Sequence, residues 1–194
     1  MITMKSGSIL LGSLLLAGCI SFGGKVPESL LSLTPTQTVA AGTTISGDIA
    51  QAIAVEEPVT PQRLAVNRVP VQVDDTQIAY VKDAVWVDKP SRLFRRLLGE
   101  TIRARTGRLV IDNNDPALTP TYQLRGTLID FGYDARTSSV VVTFDAVRDV
   151  NGRQVTTRRF SATVPNVLPE AAPVGAALNT AANDVAGQVA DWIG

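Results

Sequence analysis

The chain has 194 residues, 18 basic and 18 acidic side chains, a single cysteine and no histidine. The even charge balance argues against a nucleic-acid partner and against a polybasic grip on a membrane. The absence of histidine excludes Ser-His-Asp and Cys-His catalysis and nearly every zinc site, and one cysteine excludes an internal disulfide.

The chain opens with "MITMKSGSILLGSLLLAGCISFGG". Lys5 supplies a positive start, residues 9–16 an apolar stretch, and Ala17-Gly18 the small residues that cleavage requires. The apolar run is less than half of the roughly 20 residues that a spanning helix needs, so residues 1–18 read as an export signal. Leu16-Ala17-Gly18-Cys19 resembles the lipobox of bacterial lipoproteins. That resemblance implies Leu16, Ala17 and Gly18 as signal-peptidase recognition residues. It also implies Cys19 as the first residue of the mature chain, with a diacylglycerol on its sulfur and an acyl chain such as palmitate on its amine. Two or more acyl chains give durable anchoring, where one gives only marginal binding. Removal of residues 1–18 takes one lysine and no acid, leaving 17 basic and 18 acidic side chains on 176 residues. That length suits one domain with its own core.

Residues 19–28 read as a lipidated tether and 29–194 as a single domain. "SLLSLTP" at 29–35 is the expected first strand. Residues 36–49, rich in Thr, Ala and Gly, are expected to form a flexible loop. "AIAVEE" at 52–57 is a second strand, ended by Pro58 and Pro61. "LAVNRVPVQV" and "QIAYVKDAVWV" are β-rich runs flanking a turn at Asp74-Asp75-Thr76. The period then changes. Leu93, Leu97 and Thr101, with Phe94, Leu98 and Ile102, recur every four residues and predict a helix over about 90–106. Pro90 suits its entry, and Gly107 suits its exit.

"RLVID" is a short strand after that helix. "TYQLRGTLIDFGY", "SSVVVTFDAVRDV" and "RQVTTRRFSATV" are three longer ones. Asn151-Gly152 signals a hairpin between the last two. A two-residue loop would set Phe144 against Arg159. A three-residue loop of Val150, Asn151 and Gly152 instead sets Val142 against Phe160 and Val140 against Ala162, which one-sided burial favours. A last helix is expected over 173–193, with Val174, Leu178, Ala181, Val185, Val189 and Trp192 as one apolar stripe. The fold expected is α+β: a two-layer sandwich in which two helices cover a mostly antiparallel sheet.

Four stretches in this order resemble the ABC-type transport auxiliary lipoprotein family, which includes paraquat-inducible protein C. They are "LLSLTP", "VPVQVDDTQIAY" where the family has a pattern like V-P-x-Y-L-D-R-x-Q-I, "VWVDKPSRLFRRLL", and "RRFSATVP" ahead of the final helix. Gln72 stands where tyrosine is usual, and Asp75 where arginine is usual. The resemblance implies a role in lipid or hydrophobic-molecule transport between the inner and outer membranes. The implied partners are an ABC ATPase, a permease and an MCE-domain protein. Ile20, not being aspartate, is the choice that by analogy favours release to the outer membrane, facing the periplasm.

The carboxylate pairs Glu56-Glu57 and Asp74-Asp75 read as solvated turns. "DNNDP", with Asp112 and Asp115, lacks the glycine and distal glutamate of an EF-hand loop. No enzyme, metal or other cofactor is expected beyond the acyl groups on Cys19. Arg92, Arg95, Arg96 and Arg103 read first as a solvated helix face, with Arg92 and Arg96 kept as candidate partner contacts. Tyr80 and Trp86 are expected on opposite faces of their strand, one in the core and the other a candidate interface anchor. A homo-oligomer is a further candidate. The alternative roles are a stand-alone periplasmic lipid-binding protein or an outer-membrane assembly lipoprotein. Replacing Cys19 by Ser is expected to abolish incorporation of labelled fatty acid and to move the protein to the soluble fraction. Continued labelling with full membrane association would refute the anchor.

Overall fold

A computed structural model describes residues 29–111 and 120–194. The signal, Cys19, the tether and the "DNNDP" stretch lie outside the described residues. Among the described residues, seven strands and two α-helices follow in order: β1 (Ile53–Val55), β2 (Arg68–Gln72), β3 (Ile78–Val85), α1 (Pro90–Thr106), β4 (Val110–Ile111), β5 (Tyr122–Asp134), β6 (Ser139–Val150), β7 (Gln154–Val164) and α2 (Ala171–Ile193). Both helices pack on the sheet, giving the two-layer α+β sandwich.

β5 is the hub. Its one edge pairs antiparallel with β6, and its other edge takes β1 in parallel at one end and β2 in parallel at the other. Antiparallel β5–β6–β7 and β2–β3 dominate, while β1, β2 and β4 add parallel pairs. Between β1 and β2 the chain leaves the edge of β5, and Arg63 occupies the gap. Its Nη2 donates to the Ile129 carbonyl at 2.7 Å, beside the bulge between Leu128 and Asp130. Two glycines permit the tight approaches around β5. A Cβ on Gly126 would lie 2.1 Å from the Asp145 carbonyl, and one on Gly132 would lie 2.5 Å from the Pro70 carbonyl.

α1 matches its expected span, with Pro90 at the first helical position and Gly107 closing it at φ 67. Pro tolerates the one place because its missing N–H has no helical partner there, and Gly the other because a left-handed φ costs it little. α2 begins two residues before the expected start. Pro173 is accommodated in the first turn for the same reason as Pro90. Val174, Leu178, Ala181, Val185 and Val189 are all buried on the sheet, and Trp192 is half-buried against Phe160 at 5.6 Å. Arg105, Arg108 and Arg148 donate to the carbonyls of Gly187, Ile193 and Trp192, at the end of a helix that has no basic residue in its own last turn. Cations belong at that end of a helix dipole.

Two sequence expectations are corrected, the first strand and the hairpin register, and the loop at 36–49 gains contacts. "SLLSLTP" forms no strand; only Leu31 is bridged, in parallel with Trp86. Residues 36–48 have no regular structure, but Thr36 and Val39 donate backbone N–H groups to Asn183 and Glu100 at 2.8 Å each. The β6–β7 hairpin does have a three-residue loop, but it comprises Asn151, Gly152 and Arg153, with Val150 opposite Gln154. Phe144 therefore faces Phe160, and Val142 faces Ala162. The difference in register is two residues, which keeps every side chain on its expected face. Burial alone cannot separate the two pairings. Left-handed φ values at both Asn151 (55) and Gly152 (63) set the loop where it is.

The core is centred on four buried rings. Trp86 meets Phe131 at 5.4 Å, Phe131 meets Phe94 at 6.3 Å, and Phe94 meets Phe144 at 5.3 Å. Phe94→Ala is expected to cost about 3–5 kcal/mol, in the range of large-to-small changes in packed cores. Urea unfolding followed by circular dichroism measures it. A loss under about 1 kcal/mol would show that α1 does not depend on this contact.

Candidate functional site

The sequence candidates do not converge on one place. Trp86 is 1% exposed and belongs to the core. Tyr80 is half-exposed, with the Arg68 guanidinium 4.3 Å from its ring centre. Opposite faces, the expectation from the sequence, do not follow from their spacing: six residues is an even separation, which on a regular strand gives one face. The positive φ of Asp83 and the register shift between β2 and β3 break the alternation and separate them.

Arg92 and Arg96 are exposed on α1, each paired with Asp88 (3.5 and 3.3 Å), and Arg92 also with Glu57 at 3.5 Å. Arg103 holds Glu100 at 2.7 Å. Arg95 is half-buried, and its Nε finds no acceptor among the described residues. The Arg92 and Arg96 pairs lie at the surface and contribute little stability, so these two side chains can exchange partners.

The carboxylates are occupied structurally. Glu57 accepts from the Ser91 hydroxyl at 2.6 Å. Asp74 builds its turn by accepting from the N–H groups of Thr76 and Gln77 at 2.8 and 2.9 Å, and the Thr76 bond holds its carboxyl below the ordinary range. Among the described residues no cluster of three or more metal-ligating side chains is present, and no helix is long and apolar enough to cross a membrane.

What the structure does assemble is a cleft of about 140 Å³ between β2 and β5. Pro70, Gln72 and Ile78 form one wall, Asp130, Gly132 and Asp134 the floor, and Arg63 and Arg136 its two cationic ends. Both arginines are neutralised. Arg63 reaches Asp130 at 2.9 Å, while Arg136 clasps Asp134 at 2.7 Å and Asp75 at 2.6 Å. The hydrogen bond from Arg136 keeps the Asp134 carboxyl low, and the same pairing raises the arginine. The cleft is smaller than the roughly 300 Å³ at which ligand pockets usually begin, and its charges cancel, so it suits a side chain of a partner better than a free ion.

Gln72 lines this cleft and Asp75 anchors Arg136, so both departures from the expected sequence pattern fall here. Sequence reasoning missed Arg63, Asp130 and Asp134, and Arg136 as well. Their one sequence signal is a run of charges around a strand end, "DFGYDAR", whose partners lie more than 60 residues away.

A family model described as ABC-type transport auxiliary lipoprotein component matches residues 30–190. Comparison with curated proteins found no match. Among solved structures, protein XCC0632 from Xanthomonas campestris, of family DUF330, is similar at TM-score 0.70 and 15% identity, covering 84% of this chain and 93% of that one. An uncharacterized protein is similar at TM-score 0.66 and 17% identity, covering 86% of this chain and 100% of that one. At these identities the likeness is one of fold.

Replacing Arg136 by Gln is expected to remove a stabilisation that depends on ionised Asp134. A depressed carboxyl stabilises the fold above its unfolded value of about 4, and that contribution fades as pH falls through the lower folded value. The wild type should therefore exceed the variant in urea midpoint near pH 7 and converge with it near pH 2. An offset independent of pH would mean that Arg136 acts through packing alone.

Proposed function

The chain belongs to the ABC-type transport auxiliary lipoprotein component family, and on that premise we propose a lipid-anchored, non-catalytic adaptor of an ABC/MCE-type system that moves lipids or other hydrophobic molecules between the two membranes. The observation that carries this reading is the match over residues 30–190, which begins 11 residues after the lipobox cysteine. The domain so matched is a complete two-layer sandwich, and the lipobox supplies an anchor directly ahead of it. Cys19, acylated, would hold the domain at the outer membrane on its periplasmic side.

The chemistry of the fold supports work by contact. Carboxylates that an acid–base mechanism would need are engaged in turns and ion pairs, and no histidine is available to act with them. The surfaces offered to a partner are the exposed arginines of α1, Tyr80 beneath Arg68, and the charge-balanced cleft between β2 and β5. An MCE-domain protein is the proposed partner.

In-cell photocrosslinking from position 80 or 96, followed by mass spectrometry, is expected to capture an MCE-type protein. The double variant Arg92→Glu/Arg96→Glu should lower that capture several-fold while circular dichroism remains unchanged. Recovery of no transporter component from any of these positions, with the protein folded and membrane-bound, would overturn the adaptor reading.

A further inference from the structure

The path of the first described residues fixes how the domain is suspended. Leu31 donates its N–H to Val85 and accepts from Val87, which seats it at the end of β3. Its side chain also fills the space above Gly175, where a Cβ would lie 2.5 Å from Leu31 Cδ2. From there the chain runs along α2 toward the helix C-terminus. The Thr34 N–H bonds Asn179 and the Thr36 N–H bonds Asn183, at 2.8 Å each, and Asn183 returns a bond to the Thr34 carbonyl at 2.9 Å. This polarity means that the chain preceding Leu31 enters at the N-terminal end of α2.

That end also carries the loop that leads into α2, tied to the β5–β6 turn by Val167 N–H to the Ser138 carbonyl at 2.9 Å. Three large apolar side chains are exposed along this entry: Leu30 (50%), Val87 (53%) and Leu168 (62%). The charges flanking these side chains carry both signs: Asp88 and exposed Lys89 follow Val87, exposed Arg68 pairs with Val85, and Glu170 follows Leu168. Such a surface suits apolar contact with a neutral lipid interface rather than attraction to anionic headgroups.

We propose that the N-terminal end of α2 is the membrane-facing end of the domain, with Leu30, Val87 and Leu168 against the zwitterionic lipid surface that holds the chain's own anchor. This rests on the acylation of Cys19. Eleven residues lead from Cys19 to Leu30, and an extended chain spans at most about 3.6 Å per residue, so the entry point stays within about 40 Å of the bilayer. α2 is 23 residues long. At 1.5 Å per residue its far end, with the β6–β7 hairpin and Val155, lies roughly 35 Å deeper in the periplasm.

Acylated Cys19 leaves no free thiol, so one introduced cysteine labels uniquely. Full-length acylated protein carrying Leu168→Cys or Val155→Cys, both exposed positions, is labelled with a fluorophore and reconstituted into phosphatidylethanolamine/phosphatidylcholine vesicles. A quencher on a lipid headgroup reports proximity. Quenching several-fold stronger at position 168 than at 155 is expected. Equal quenching, or stronger quenching at 155, on protein that floats with the vesicles overturns the orientation while leaving the anchor intact. Protein that carries no acyl chain and fails to float overturns the anchor and the orientation together. If quenching at 168 occurs only after a second protein is added, the surface docks that protein instead, and the lipid contact is refuted.

Discussion

Four buried rings, Trp86, Phe131, Phe94 and Phe144, form one continuous chain of contacts from just past the end of β3 through β5 and α1 to β6. No two of them lie on the same element, so each ring is a cross-link between parts that local structure alone would leave apart. Phe94 is the pivot. It brings α1 onto the sheet at the point where β5 bulges, and α2 then closes the rest of the face with alanine-rich turns that allow close approach. Edge-to-face and tilted geometries of this kind add to the burial of the rings themselves. Among the described residues, the outer face of the sheet carries no comparable cluster of buried rings. Its cross-strand partners on β6 and β7 are mixed, with Thr143 against Ser161, Val147 against Thr157 and Asp145 against Arg159 at 2.6 Å, the last a pairing that holds the Asp145 carboxyl low.

How much of this was legible depends on how local each determinant is. α1 could be read to its ends because Pro90, Gly107 and the four-residue apolar repeat all lie within its own 17 residues. The stripe of α2 was legible for the same reason, although its first turn was not, because Glu170 caps it without any side-chain bond. The hairpin register escaped because a shift of two residues leaves the buried set unchanged. Tyr80 and Trp86 are separated as expected but not for the expected reason: their even spacing favours one face, and the backbone irregularity at Asp83, which no side-chain pattern announces, parts them. The cleft was least legible. Arg63–Asp130 and Arg136–Asp75 join residues 67 and 61 positions apart, and nothing local marks one arginine for one aspartate.

The arginines divide into two groups with different consequences. Arg105, Arg108 and Arg148 converge on the C-terminal carbonyls of α2 from α1, the following loop and β6, and Arg108 also stacks 4.5 Å over Tyr122. They tie one end of the sandwich together. Arg92 and Arg96 sit on exposed acids in high dielectric, where breaking a pair costs little. A partner that offers its own carboxylates can therefore take them over without disturbing the fold. The same logic applies less well to Arg136, which is held by two carboxylates at once and positions the wall of the cleft.

These constraints bear on how an anchored adaptor would transmit position. Had the tether joined the domain through an unstructured segment, the domain would tumble freely at the end of its leash. Instead, residues 31–39 are strapped along α2 and onto α1 by Leu31 above Gly175 and by hydrogen bonds to Asn179, Asn183 and Glu100. Among the described residues, the chain is held in place from Leu31 onward. Under the proposed acylation, force on the anchor is then delivered first to the end of β3, through the Leu31 bonds to Val85 and Val87, and next to the two helices. The helices are bound to the sheet by the ring chain and by the arginines at the end of α2, so the domain responds as one body. That mechanical unity is what an adaptor working by contact alone would require, because each surface it offers keeps a fixed relation to the others.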